Sequence, residues 1–166
     1  MEDVLEDFRR TVEEASARLL SMTDGEAAAR RVEGKWSAKE VIGHLIDSAS
    51  NNHQRFVRGQ FQENFVFPGY AQEDWVRVQA YQDEPWPLLV NLWRFYNLHL
   101  AHVMSHAPEG ERLRPRREHN LHEIGFAPVS PDEPGTLEHL MRDYVEHLKS
   151  HLGQILGDES GQNHPR

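Results

Sequence analysis

Four long segments of this 166-residue chain repeat apolar residues every three or four positions, and no segment alternates them convincingly with period two. That periodicity predicts amphipathic helices, each with an apolar stripe that has to be buried against a neighbour. The first helix runs from about Glu2 to Met22 on Val4, Leu5, Phe8, Val12, Ala15, Leu19 and Leu20, with Asp24-Gly25 as its stop signal. The second begins at Ser37 and Glu40, the two ends of a capping box, with Trp36 at the staple position just before them. Val41, Ile42, Leu45, Ile46, Ala49, Phe56 and Val57 carry it to about Arg58. Pro85 and Pro87 open the third, in which Leu88, Leu89, Leu92, Phe95, Tyr96, His99 and Val103 share a face. Thr136 caps the fourth, and Gly157 ends it just after Leu156. A shorter helix is expected between Ala71 and Tyr81, turning Trp75, Val78 and Tyr81 inward.

Four stripes bury one another most simply as an all-α, antiparallel four-helix bundle with long middle connections. We expect a single domain over residues 1–157 and a polar tail over 158–166. Residues 108–135 are rich in proline and glycine and read as one connection. Connections beyond about 12–15 residues are uncommon and are often lids or binding loops.

Charge and composition narrow the function. With 18 basic and 27 acidic residues the net charge is -9, which argues against a dedicated nucleic-acid binder. The local cluster Arg112, Arg114, Arg116 and Arg117 reads as a solvated loop, because Pro115 and Glu118 interrupt it. There is no cysteine, so disulfides, thiolate zinc sites and an internal thiol nucleophile are excluded. No apolar run approaches the roughly 20 residues of a membrane span. The acidic start Met1-Glu2-Asp3 is not that of a secretory signal, so the expected compartment is the cytoplasm, with no membrane partner.

The chain carries 11 histidines. On a wheel of about 100° per residue, His151 falls inside the apolar arc of the last helix, His147 at its edge and His139 on the polar side. Histidines four residues apart stack on one face and can share a metal. The glutamate of a metalloprotease motif is missing, since Leu148 follows His147. In a chain this rich in histidine, chance gives roughly 0.7 such pairs, and His102/His106 is a second one. The pair therefore does not specify a site by itself. A third ligand has to come from another helix. Periodicity favours His99, centred on its apolar face, over His44, which lies off its helix's arc near Glu40, Asp47 and Ser48.

Two motifs change that preference. Lys35-Trp36-Ser37-Ala38-Lys39-Glu40-Val41-Ile42-Gly43-His44-Leu45-Ile46-Asp47 resembles the second-helix motif of the DinB/YfiT-like superfamily. Tyr144-Val145-Glu146-His147-Leu148-Lys149-Ser150-His151-Leu152 resembles its last-helix motif. Trp75 to Tyr81 and Trp86 to Leu100 are similar to its middle, so the resemblance spans nearly the whole chain in the expected order. It implies a four-helix bundle with a divalent metal on three histidines, here His44, His147 and His151. His99 then becomes a buried structural histidine or a substrate contact, and His102 and His106 are solvated. His119 and His122 in the long loop are candidates for a fourth ligand, with solvation the simpler role. Asp47 and Glu146 are candidates to orient an imidazole, although solvated helix charges are the simpler reading.

Three protein ligands leave a coordination position open, as in catalytic sites. All-imidazole ligation suits zinc or nickel best, with iron or manganese also compatible. The resemblance implies a small-molecule substrate and two reaction types. One is transfer of a low-molecular-weight thiol of the bacillithiol kind onto an electrophile, in stress or detoxification. The other is metal-dependent hydrolysis. The alternatives to catalysis are a stress- or DNA-damage-associated metal-binding bundle, and a homodimeric module for an apolar ligand. The aromatics Phe61, Phe65, Phe67 and Tyr70 would line a pocket or dimer contact in that last case, with core packing as their default.

Overall fold

The computed structural model of the chain describes residues 1–127 and 129–157, and the expected tail at 158–166 lies outside them. Its helices are α1 (Glu2–Leu20), α2 (Asp24–Ala28), α3 (Ala38–Arg58), α4 (Gln72–Gln79), α5 (Trp86–His106), α6 (Glu109–Leu113), α7 (Leu121–Ile124) and α8 (Leu137–Leu156). No strand forms among the described residues, only two isolated bridges, Phe65 with His119 and Arg116 with Gly135. No described helix is long and apolar enough to cross a membrane.

Local chemistry sets the helix ends. The Ser37 hydroxyl accepts from the Glu40 amide at 3.2 Å, and the Glu40 carboxylate accepts from the Ser37 amide at 2.8 Å, so the capping box is complete. Thr136 accepts from the His139 amide at 3.1 Å, and Gly157 closes α8 in the left-handed region at φ 75°. The first helix ends at Leu20, ahead of Asp24-Gly25. Thr23 forms a second capping box with Glu26 there and starts α2.

The long helices α1, α3, α5 and α8 make a four-helix bundle. Its contacts run round the ring α1–α5–α3–α8. Arg94 on α5 pairs with Glu13, and Trp86 donates to the carbonyl of Leu19, so α1 and α5 are antiparallel. His44 meets His151, and Gly59 packs near Leu137, so α3 and α8 are antiparallel as well. The other two neighbouring pairs run parallel. Lys39 bonds the carbonyl of Glu84 while His53 meets His99, which aligns α3 with α5. Lys149 pairs with Asp7, and Arg18 donates to the carbonyl of Leu156, which aligns α8 with α1.

Because α3 and α5 point the same way, the chain between them has to travel back along the bundle. It does so over the outer face of α3. Pro68 sits by Arg55, Tyr70 by His44, and Tyr81 by Gly43 and Asp47. The polar side of α3 is thereby covered, and every residue from Lys39 to Ala49 is buried.

The helix α5 turns a different face inward from the one expected. Leu88, Leu92 and Phe95 are 54%, 45% and 58% exposed, while Trp86, Leu89, Val90, Trp93, Leu100 and Met104 fill the core. The helix is apolar nearly all round, so two stripes compete. The one carrying both tryptophans removes more area from water. Asn97 is buried with it, donating to the carbonyl of Trp93 and accepting from the Tyr144 hydroxyl at 2.5 Å.

The long connection is held down by short helices and by loop bonds. The Phe65 amide donates to the Glu118 carbonyl at 2.8 Å, and Arg116 and Gly135 exchange amide bonds at 2.9 Å. The basic cluster is not simply solvated, contrary to expectation. Arg116 is buried, stacks 4.1 Å from the centre of the Phe65 ring and bonds the Gly59 carbonyl at 2.6 Å. Arg112 pairs with Glu138, and Arg114 bonds the Gln62 carbonyl, so only Arg117 is fully exposed.

Candidate metal centre

Helices α3 and α8 bring His44 to the pair His147 and His151. One ring nitrogen from each lies within 4.8 Å of the others. The Nε2 atoms of His44 and His147 are 3.3 Å apart. The ring of His44 lies 4.8 Å from that of His151, and the rings of His147 and His151 are 4.6 Å apart.

The donor set fits a divalent cation. Two imidazole nitrogens bound at about 2.0–2.1 Å to one tetrahedral zinc stand about 3.3 Å apart, which is the separation seen between His44 and His147. The far nitrogens favour the same arrangement. Nδ1 of His147 faces the Ser48 hydroxyl at 3.5 Å, and Nδ1 of His151 faces the Gln154 side-chain oxygen at 3.3 Å. A proton on each Nδ1 leaves Nε2 as the lone-pair donor. Nδ1 of His44 is buried without a partner. Burial, assisted by repulsion from His151, pulls His44 down to about 3. Burial also pulls His147 well below its ordinary value, and His151 below it. All three are therefore neutral at pH 7, the form a metal requires.

His44 reaches this position because of the segment laid over α3. A Cβ added at Gly43 would come within 2.0 Å of the Tyr81 ring, so glycine permits the close approach. Tyr81 and Gln79 each donate to Asp47 at 2.7 Å. Asp47 is thus buried and engaged with the covering segment, neither solvated nor turned to an imidazole. Glu146 is exposed and pairs with Lys149.

Beside the trio opens a cleft of about 1050 Å³, lined by His147 and His151 with His44 buried behind them. Trp36, Tyr70 and Phe126 give it aromatic walls, and Ser48, Asn52 and Arg55 give it polar ones. The Trp36 ring lies 5.2 Å from His44, and that of Phe126 lies 5.5 Å from His147. Phe126 is placed by Asp143, whose two oxygens accept from the amides of Phe126 and Ala127 at 2.7 Å each. Burial raises the Tyr70 hydroxyl, which stays protonated.

The other candidate histidines stand elsewhere. His99 is exposed, not buried, and lies against His53 and His102. His102 and His106 are exposed, as expected. His119 is buried rather than solvated, because its Nε2 bonds the Glu133 carbonyl at 2.6 Å and its Nδ1 accepts from the Leu121 amide. His122 is exposed, and neither loop histidine joins the trio. Of the aromatics before α4, Phe65 and Phe67 pack in the core, Phe61 is 72% exposed, and only Tyr70 lines the cleft. The periodicity of α3 carries no sign of Arg55 or Asn52 as cleft residues: Asn52 falls inside the apolar arc and Arg55 at its edge, and a polar residue there does not by itself mark a cleft.

No curated protein matches the chain. Among solved structures it is similar to YfiT from Bacillus subtilis, a probable metal-dependent hydrolase with an unusual four-helix bundle topology. The two superpose with a TM-score of 0.71 at 20% sequence identity, over 92% of this chain and 84% of that one. At that identity the likeness speaks for the fold alone. The sequence pattern of the DinB superfamily matches residues 7–155, nearly the whole length, and the chain belongs to that superfamily.

Proposed function

We propose that this chain is a divalent-metal-dependent enzyme acting on a small molecule, with His44, His147 and His151 as the ligands and residues 1–157 as the functional domain. The observation that carries the reading is three neutral imidazoles converging on one point, two of which, His147 and His151, line an open cleft. A divalent cation held by them supplies Lewis acidity, lowering the pKa of a coordinated water or thiol toward neutrality. Zinc or nickel suits the all-nitrogen donor set best. The protein's own part is to hold the imidazoles by Ser48 and Gln154, and to shield the site with Trp36 and Phe126.

Hydrolysis is the first reaction class, supported by the fold shared with YfiT. Thiol transfer is the second. Small-molecule pockets run to about 1,000 Å³, and this cleft is as large as that upper end. It therefore has room for a thiol cosubstrate beside an electrophile, and the thiol would have to come from outside a chain without cysteine. The outward stripe of Leu88, Leu92 and Phe95 is the surface we assign to a homodimer. Light scattering is expected to give twice the chain mass, and F95E is expected to halve it.

Elemental analysis of protein purified without an affinity tag tests the ligand assignment. Near-stoichiometric zinc or nickel is expected, absent from H44A/H147A/H151A, with the helical circular dichroism retained. Metal that persists in the triple variant would sink the assignment. A variant that loses its fold along with the metal would favour the non-catalytic, structural site.

A further inference from the structure

Three cationic side chains are buried among the described residues: Lys39, Arg55 and Arg116. Two are fully engaged. Lys39 bonds Asp24 at 2.9 Å and the carbonyls of Gln82 and Glu84 at 3.2 and 2.8 Å, one acceptor for each of its protons. Arg116 bonds the carbonyls of Gly59, Gln62, Glu111 and Arg114 and the carboxylate of Glu111, and it stacks on Phe65.

Arg55 is different. It is 5% exposed, and its guanidinium makes two long bonds, to Asn52 Oδ1 at 3.4 Å and to the Pro68 carbonyl at 3.3 Å. A guanidinium has five N–H donors and stays charged in proteins. Three donors are therefore left over, and the side chain lines the metal cleft together with Asn52, Tyr70 and His147. Among the described residues no carboxylate forms an ion pair with it. Asp143 acts on it through space, but both Asp143 oxygens are committed to the amides of Phe126 and Ala127. Burying a cation without pairing it is costly. An arginine fork is suited to receive two oxygens of one anion.

We propose that Arg55 binds an oxyanion group, carboxylate or phosphate, of the small molecule that enters the cleft, holding it beside the histidine trio. This deepens the metal-enzyme reading and rests on it for the identity of the cleft as the substrate site. Asn52 and Tyr70 line the cleft beside Arg55, Asn52 held by the Ser48 carbonyl at 3.0 Å, so the unused donors there are those of Arg55. The occupant is thus an acid or a phosphate ester, not a neutral ester or amide without a charged group.

The test uses the full-length protein, loaded with zinc and again after chelation. Acetate and inorganic phosphate are titrated separately, with binding followed at the Arg55 Nε–Hε resonance and by calorimetry. Saturable binding of one of them is expected in both forms of wild type, and R55Q is expected to weaken it by about tenfold or more. Zinc uptake by R55Q is expected to equal that of wild type. The R55K variant keeps the charge without the fork and is expected to lie between the two. The tighter of acetate and phosphate names the group. Binding that is unchanged in R55Q, binding that disappears on chelation, or no binding to wild type would each overturn the proposal. If R55Q fails to fold, the wild-type resonance and R55K still decide it. Failure of wild type to take up zinc would instead overturn the metal reading, while the chelated titrations still answer for Arg55.

Discussion

At the scale of single residues, the site depends on what covers His44. The side chain lies on a face rich in polar neighbours, and an isolated amphipathic helix would leave that face in water. Tyr81 and Tyr70 cover it, and Gly43 is the residue that lets Tyr81 approach. Adding one methyl group there, as G43A, is expected to destabilise the protein by about 1–3 kcal/mol through overpacking. Chemical denaturation of the metal-free protein checks this, and an unchanged midpoint would place Tyr81 elsewhere. The three histidines also predict a pH dependence. Their folded values are lowered, to about 3 for His44 against an ordinary 6.5. The unfolded chain therefore binds more protons below pH 6.5, and stability falls as pH drops. Above that pH both states are neutral and this contribution is flat. Metal-free protein is expected to lose at most about 1.4 kcal/mol per pH unit per histidine on going from pH 6.5 toward 3. Urea midpoints over that range are expected to fall less steeply in H44A/H147A/H151A than in wild type.

At the scale of elements, helix starts follow local chemistry while helix faces do not. Ser37 and Thr136 act as caps where the sequence places them, Ser37 by its spacing to Glu40 and Thr136 by its position after Pro134-Gly135, because a cap is satisfied within one turn of chain. S37A is expected to cost about 1 kcal/mol of stability, and to lower metal affinity too if fraying of α3 reaches His44. The helix α5 shows the converse. Its sequence offers two apolar stripes, and burial of Trp86 and Trp93 selects the one without His99. His99 consequently faces outward, and periodicity alone would have named a histidine that does not join the trio. In the F95E background, where the assigned dimer contact is already removed, replacing Leu92 with glutamate is expected to leave stability within about 0.5 kcal/mol, as for a surface site, whereas W93A in the same background is expected to cost about 3–5 kcal/mol. Thermal unfolding of the two variants side by side measures which stripe is the core.

At the scale of the whole molecule, two parallel and two antiparallel helix contacts place α3 against α8 and oblige the chain after α3 to return over its outer face. That return path covers His44 and, at Tyr70 to Asp74, forms one wall of the cleft. A cation bound only by the folded state stabilises it by mass action, about 2.7 kcal/mol at a hundredfold excess over its dissociation constant. Zinc added to the chelated protein is therefore expected to raise its melting temperature by about 5–10 °C, and to do nothing to the triple histidine variant. An equal shift in both would place the metal outside the trio.

The sequence by itself determined the four long helices and α4, the caps at Ser37 and Thr136, the His147/His151 face of α8 and the all-α class. Each of these depends on residues within a turn or two of one another, so spacing suffices. The motif around His44 also marked that residue, through its likeness to a family rather than through its periodicity. Only the tertiary structure decided which stripe of α5 is buried, that the polar face of α3 is covered, that Arg116 and His119 are internal, and that Arg55 meets the cleft short of partners. These outcomes depend on which distant segment lies on top. Covering a polar face is favourable only when that segment brings acceptors, donors and a well-fitted ring to the same place.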